Sequence, residues 1–248
     1  MSDELTDFGY EKVPVSEKAR RVAGVFKSVA GKYDVMNDIM SLGTHRLMKR
    51  FAVELTAIRP GQRVMDLAGG TGDLTALMSP IVGDSGRIIL CDINGEMLAR
   101  GRDRLIDKGI VSNVDYVQAD AENLPFSDGC FDAITIAFGI RNVTDKPGAF
   151  HSMLRTLKPG GRVVVLEFSK PRNPAIRSAY GVFQGIWPRI GQLVTGDEGS
   201  YRYLVESIDM HPGQEELKEM MSEAGFTRCL YHNLADGIAA IHIGYRDQ

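Results

Sequence analysis

Three carboxylates and a run of glycines in this 248-residue chain are spaced like parts of one ligand site. Residues 63–73 read RVMDLAGGTGD. Arg63–Leu67 is a short apolar run bounded by turn residues, the pattern of a buried parallel strand. Small residues follow, with Gly70 and Gly72 flanking Thr71, and a helical pattern begins at Asp73. A strand, a glycine turn and a helix N-terminus let backbone approach a ligand closely. Asp92 stands 20 residues beyond Gly72 and closes a second apolar run, Arg87–Cys91. A carboxylate at that distance is placed to accept hydrogen bonds from ribose hydroxyls. Asp120 and Ala121 follow a third run, Val114–Gln118. The ligand implied is a nucleoside-containing cofactor.

Its type follows from what the turn lacks. The dinucleotide fingerprint G-x-G-x-x-G fits Gly70 and Gly72 but fails at Thr75, where a third glycine would permit close helix packing. Asp66 lies inside the strand before the turn, where a pyrophosphate would be repelled. A carboxylate there suits a cationic ligand, and S-adenosylmethionine carries both an ammonium and a sulfonium. Asp66, Gly70 and Gly72 match the methyltransferase pattern D-x-x-x-G-x-G.

The elements that must position these residues form one large α/β unit. From Arg63 to Phe168 strands alternate with helices, so the reading is a parallel sheet covered on both faces. Strands are expected at Arg63–Leu67, Arg87–Cys91, Val114–Gln118, Phe131–Ala137 and Gly161–Phe168. Helices are expected at Asp73–Met78, Gly95–Asp107 and Lys146–Leu157, with Lys158–Gly161 a turn. A helix at Gly213–Ala224 precedes two late strands, Phe226–His232 and Gly237–Tyr245. With no crossover helix between them these form a hairpin, giving a seven-stranded, mostly parallel sheet with an antiparallel edge. Asp66, Asp92, Asp120 and Ala137 then fall at or near carboxyl ends of strands, where such sheets bind ligands.

Around this core, Met1–Pro14 is polar and expected to be loose. A helix is expected from Ser16, and the mixed segment Lys32–Arg46 is either an amphipathic cover or, through Tyr33, Met36, Asn37 and Met40, a substrate mouth. Residues 1–60 read as a helical lid, 61–168 as the cofactor-binding core, 169–212 as an apolar insertion and 213–248 as a closing helix and hairpin. The insertion holds Tyr180, Phe183, Ile186 and Trp187, with Pro188 expected to interrupt its helix. The net charge of −3 gives no reason to expect nucleic acid. Three scattered cysteines make neither a disulfide framework nor a metal knuckle. With no signal-like start and no apolar window long enough to span a bilayer, the reading is a cytoplasmic protein without a metal.

The stretches FKSVAGKYDVMNDIMSLGTHRLMKR, VMDLAGGTGD, DAENLPF, FGIRNVTDK and LKPGGRVVVLEFSKP carry a resemblance over essentially the whole chain. It is to the ubiquinone/menaquinone biosynthesis C-methyltransferase family, the demethylmenaquinone and 2-polyprenyl-6-methoxy-1,4-benzoquinol methyltransferases. The resemblance implies a Rossmann-like fold and S-adenosylmethionine as methyl donor to a ring carbon of a polyprenylated benzoquinol or naphthoquinol. It admits peripheral contact at the inner face of the membrane and a place in a quinone-biosynthesis protein assembly. It also makes the N-terminal segment part of the substrate site, with Tyr33, Asn37, Met40 and His45 as candidates. Thr71 is implied at the methionine part, Asp92 at the ribose, Asp120 and Ala121 at the adenine, and Ala137 below the methyl group.

Methylating ring carbon needs a phenolate, and a phenol pKa of about 10 opposes its formation at neutral pH. Arg141, in the GIRN stretch after the fourth strand, is too basic to take the proton and is read as stabilising the oxyanion. Asn142 is read as orienting the hydroxyl or a water. The structural alternative pairs Arg141 with an acid such as Asp145. Two other functions remain: a small-molecule O- or N-methyltransferase, and a non-catalytic scaffold that binds the cofactor within an assembly.

Overall fold

The computed structural model describes residues 5–29, 41 and 43–247. Tyr33, Met36, Asn37 and Met40 therefore lie outside the described residues. Strands β3 (Arg63–Leu67), β4 (Arg87–Asp92), β5 (Val114–Gln118), β6 (Phe131–Ala137), β7 (Leu157–Phe168), β8 (Thr227–Leu234) and β9 (Ala239–Tyr245) form a seven-stranded sheet in the order β5-β4-β3-β6-β7-β9-β8. The first five pair in parallel, and β9 runs antiparallel to both β7 and β8. The order reverses between β3 and β6, the switch point at which a crevice opens beyond the strand ends.

Alternation along the strands explains the layers. Val64, Ile88, Leu90 and Ala133 pack on one face with Leu74, Met78 and Leu105 from helices α3 (Asp73–Val82) and α4 (Gly95–Asp107). Met65, Ile89, Ile134 and Ile136 point the other way, against Phe150 and Met153 of α5 (Lys146–Thr156) and Met221 of α8 (Gln214–Glu223). With both faces covered, the central strands are mostly apolar, with Asp66 and Thr135 buried among the hydrocarbon side chains. A third cluster joins β7 and β9 to α2 (His45–Thr56), α6 (Pro174–Thr195) and α7 (Glu198–Asp209).

Three sequence expectations are corrected. From Leu5 on, the N-terminal stretch is not loose: β1 (Leu5–Phe8) and β2 (Glu11–Pro14) form an antiparallel hairpin ahead of α1 (Val15–Val29). It is tied to α7 by Tyr10 Oη donating to Asp209 (2.9 Å) and by Phe8 stacked on Tyr203 at 4.3 Å. Lys158–Gly161 is not a turn but the start of β7, where pairing with β6 shifts register and Gly160 takes φ 77°. Pro188 does not interrupt α6, since burial of Tyr180 and Trp187, both ahead of it, outweighs the lost helical hydrogen bond. Trp187 itself is fully buried, edge-on to Phe183 and Tyr180, and presents nothing to a membrane.

The close packing that a third glycine would have supplied comes from the next helix instead. A Cβ on Gly101 of α4 would lie 2.7 Å from the carbonyl oxygen of Gly70 and 3.1 Å from a Leu90 methyl. Backbone cannot yield as a flexible side chain can. Gly101→Ala is expected to cost about 1–3 kcal/mol in denaturant unfolding, as overpacking does, and to weaken cofactor binding by shifting the glycine turn. An unchanged midpoint would show that α4 can retreat freely.

Candidate active site

A cavity of about 360 Å³ opens at the carboxyl ends of β3, β4 and β6. Its floor includes Ala68, Gly70 and Asp92, its far end Asp120 and Ala121, and its near wall Phe138, Gly139 and Asn142. Val15, Ala19 and Val22 of α1 cover it. Two of its non-glycine residues, Ala68 and Phe138, hold left-handed backbone at φ 50° and 55°. Each follows a strand of the switch point, and strain of this kind gathers at functional sites.

The glycine turn is shaped by carboxylates on both sides. Asp66 is buried within β3; it accepts hydrogen bonds from Thr75 N (3.0 Å), Thr75 Oγ1 (2.7 Å) and Thr135 Oγ1 (3.1 Å). Burial pushes its carboxyl up to about 6, against hydrogen bonds that favour the charge. Its oxygens thus serve Thr75 and Thr135 while it also lines the smaller recess beside the glycine turn. Asp92 accepts from Gly70 N (2.9 Å) and Asn94 N (2.8 Å), so it locks the turn to the start of α4. Each carboxylate oxygen has a second lone-pair direction, which leaves Asp92 able to accept ribose hydroxyls in the cavity it lines. Burial raises its carboxyl above the usual range. Gly70 and Gly72 take φ 56° and 79°, conformations that side chains resist.

Asp120 and Ala121 sit together at the far end, with Asp120 Oδ1 capping the short turn Ala121–Asn123 through Glu122 N (3.0 Å). Thr71 and Ala137 line a second, smaller recess beside the first, and the two share Ala68 and Gly70. Gly72 lines neither; it is the N-cap of α3. His45 is buried at the start of α2 and is not among the residues lining either space.

Arg141 and Asn142 part company. Asn142 lines the cavity, and its Oδ1 accepts from Tyr203 Oη (3.0 Å). Burial pushes the Tyr203 hydroxyl up to about 12, so it stays protonated and donates. Arg141 is not a lining residue. Its Nη1 donates to Glu167 Oε1 (2.7 Å) and to the Phe138 carbonyl (2.6 Å), and the paired side chains are 3% and 1% exposed. The partner is Glu167, not Asp145, which caps α5 through Gly148 N. Sequence reasoning missed Glu167, although a carboxylate ending the run Val163–Leu166 was a signal. It also missed Tyr203, Lys49 and Gly101, which reach the site only through tertiary packing.

The profile of the ubiE/COQ5 methyltransferase family matches residues 14–246. The chain belongs to that family. It is 58% identical over 246 residues to the ubiquinone/menaquinone biosynthesis C-methyltransferase UbiE of Teredinibacter turnerae, covering 98% of this chain and 99% of that one. To the protein of the same name from Saccharophagus degradans it is 59% identical over 248 residues, covering 99% and 100%. A SAM-dependent methyltransferase structure from Aquifex aeolicus shares the fold at TM-score 0.58 and 16% identity, covering 85% of this chain and 98% of that one. The cyclase SpnF does so at 0.66 and 17%, covering 92% and 96%, so the fold by itself does not set the chemistry. As a member of the ubiE/COQ5 family the chain is a methyltransferase, and S-adenosylmethionine is its methyl donor.

The Arg141–Glu167 pair backs the cavity wall by holding the Phe138 carbonyl. Arg141→Met is expected to lower unfolding stability by about 3–5 kcal/mol by stranding a buried carboxylate, and adding Glu167→Gln to restore much of it. Denaturant midpoints of the two variants measure this. Equal stability of Arg141→Met and parent would mean that the pair is solvated.

Proposed function

We propose that this protein transfers the methyl group of S-adenosylmethionine to a ring carbon of polyprenylated quinols, converting demethylmenaquinol to menaquinol or 2-methoxy-6-polyprenyl-1,4-benzoquinol to its 5-methyl product. The reading is carried by near-full-length identity of 58–59% to C-methyltransferases named for ubiquinone and menaquinone biosynthesis. The cavity supports it: the ribose goes to Asp92, the adenine to Asp120 and Ala121, and the methionine end to Thr71, which brings the methyl group toward Ala137 and Gly139. The quinol enters against Phe138 and Asn142. Because Tyr203 occupies the Asn142 oxygen, the amide NH₂ is left to donate to the quinol oxygen as phenolate charge develops. Water takes the hydroxyl proton. The ring carbon forms a bond to the methyl as the sulfur–methyl bond breaks, S-adenosylhomocysteine leaves, loss of the ring proton to water gives the methylated phenolate, and return of one proton from water to its oxygen restores the quinol. Arg141 acts at one remove, by holding the Phe138–Asn142 turn.

Methyl transfer from labelled cofactor to each demethylated quinol tests the reading. Label on ring carbon of either quinol is expected. Label only on oxygen or nitrogen acceptors, or on none, overturns it in favour of another methyltransferase or a binding scaffold.

The polyprenyl tail holds the substrate in a bilayer, yet among the described residues no helix is long and apolar enough to cross one. Access is through peripheral contact by α6. Val182 (71% exposed), Ile186 and Leu193 (86% exposed) recur at i, i+4 and i+11 on one face of that helix, with exposed Arg189 beside them. Aspartate at Val182 and Leu193 together is expected to cut liposome co-sedimentation several-fold while leaving turnover of a short-tailed, soluble quinol unchanged. A parent protein that ignores liposomes yet fully methylates membrane-borne quinol would refute the contact.

A further inference from the structure

The N-terminal hairpin is shaped to sit on α7. Gly9, at its turn, takes φ 61°, and a Cβ there would run into the Glu206 side chain, so glycine lets the turn close on the helix. Tyr10 N donates to Glu206 Oε2 (3.2 Å) and Tyr10 Oη to Asp209 Oδ2 (2.9 Å). Just ahead of the turn, the Phe8 ring lies on the Tyr203 ring at 4.3 Å and 23°, a stacked pair. Tyr203, Glu206 and Asp209 recur every third residue along one side of α7, so hairpin and helix meet at three successive points. On α1, the Arg21 guanidinium lies 5.7 Å from the Phe8 ring centre and pairs with Glu11 (2.9 Å). Hairpin, α1 and α7 are joined around Phe8.

Tyr203 connects this junction to the chemistry. It is buried, and its Oη donates to Asn142 Oδ1 (3.0 Å). Among the described residues this is the only hydrogen bond to the Asn142 side chain, which lines the main cavity. The outer torsion of an asparagine is broad and roughly two-fold, so a free amide turns over and presents its oxygen in place of its NH₂. Turned over, Asn142 would set an acceptor against the developing phenolate. We propose that Tyr203, held by the Phe8 stack, is a positioning residue for methyl transfer, and that the N-terminal hairpin thereby fixes which end of the Asn142 amide faces the quinol. Tyr203 is not among the residues lining the cavity, so it acts through Asn142. The chain runs on from the hairpin into Val15, Ala19 and Val22, the cover of the cavity, so one segment serves both the cover and the amide. This assignment rests on the role given to Asn142 above.

Tyr203→Phe keeps the stacked ring and removes only the hydroxyl. It is expected to lower kcat about tenfold or more while leaving the Kd of S-adenosylhomocysteine within about twofold of the parent's. Phe8→Leu keeps an apolar contact but not the stack. It is expected to lower kcat several-fold in the parent and less than about twofold in Tyr203→Phe, where the hydroxyl it steers is already gone. Losses that multiply in the double variant make Phe8 an independent packing residue and overturn the proposal. Asn142→Ala separates this proposal from the reading beneath it. If that variant keeps its kcat, the role of Asn142 fails and the proposal with it. If it is slow while Tyr203→Phe turns over like the parent, the role of Asn142 stands and the proposal alone is overturned. Thermal midpoints report the fold, and a lowered midpoint with unchanged kcat marks Tyr203 as packing only. Should Phe8→Leu not fold, the Tyr203 and Asn142 variants decide: Tyr203→Phe must cost less than about twofold in the Asn142→Ala background, and a full loss there overturns the proposal.

Discussion

A single carboxylate placed inside an apolar strand organises the site. Asp66 is 1% exposed, and an ion so placed is tolerable only when its lone pairs are filled. Thr75 fills one oxygen twice, from its amide and its hydroxyl, and Thr135 reaches the other across the sheet. Hydrogen bonds to a charged group contribute roughly 1.5–3 kcal/mol each, so the three together fix where β3, the first turn of α3 and β6 lie. Everything between Asp66 and Thr75 must then fit a chain of set length. That chain includes Ala68 and Gly70 in left-handed conformations and ends at Asp73, the first residue of α3.

Ion pairs on either side of β6 show two uses of buried charge. Arg141 and Glu167 cancel each other and also satisfy backbone, with Glu167 accepting from Phe168 N (2.9 Å) and Arg141 donating to the Phe138 carbonyl. Such a pair stiffens the turn that carries Asn142 and leaves no charge over. Lys49 and Arg104 share Asp73 across the glycine turn, with the Asp66 carboxylate near enough to act on Lys49. Replacing the first group with hydrocarbon of the same shape would be tolerable on energetic grounds, whereas the second ties α2 and α4 to the first residue of α3.

How far the molecule was legible from sequence depends on whether a feature is local. The strands from Arg63 to Ala137 were readable because both faces are buried and the runs are mostly apolar, and the positions of Gly70, Asp92 and Asp120 because each lies at or just past the end of its strand. The partner of Arg141 was misassigned because Glu167 is 26 residues away and meets it only through the β6–β7 register. Asp145, four residues on, had a local task as a helix cap. The same reasoning covers Gly101, whose missing side chain matters only because α4 lies across Gly70, and the N-terminal hairpin, whose order depends on α7. The hydrogen bonds from Thr75 to Asp66 were not legible, since Thr75 read as a missing glycine rather than as a hydroxyl donor.

The burial of Trp187 makes the protein its own optical reporter. It is the chain's only tryptophan, wholly removed from water and set edge-on to Phe183 and Tyr180. Intrinsic fluorescence excited at the indole thus comes from a single place, the inner side of the helix that carries the exposed apolar stripe. Emission from an indole in so apolar a cage is blue-shifted, and water reaching it moves the band to the red. If α6 rolls or lifts when its outer face meets lipid, the colour of that one emitter changes; if the helix engages lipid as a rigid plank, the colour stays fixed.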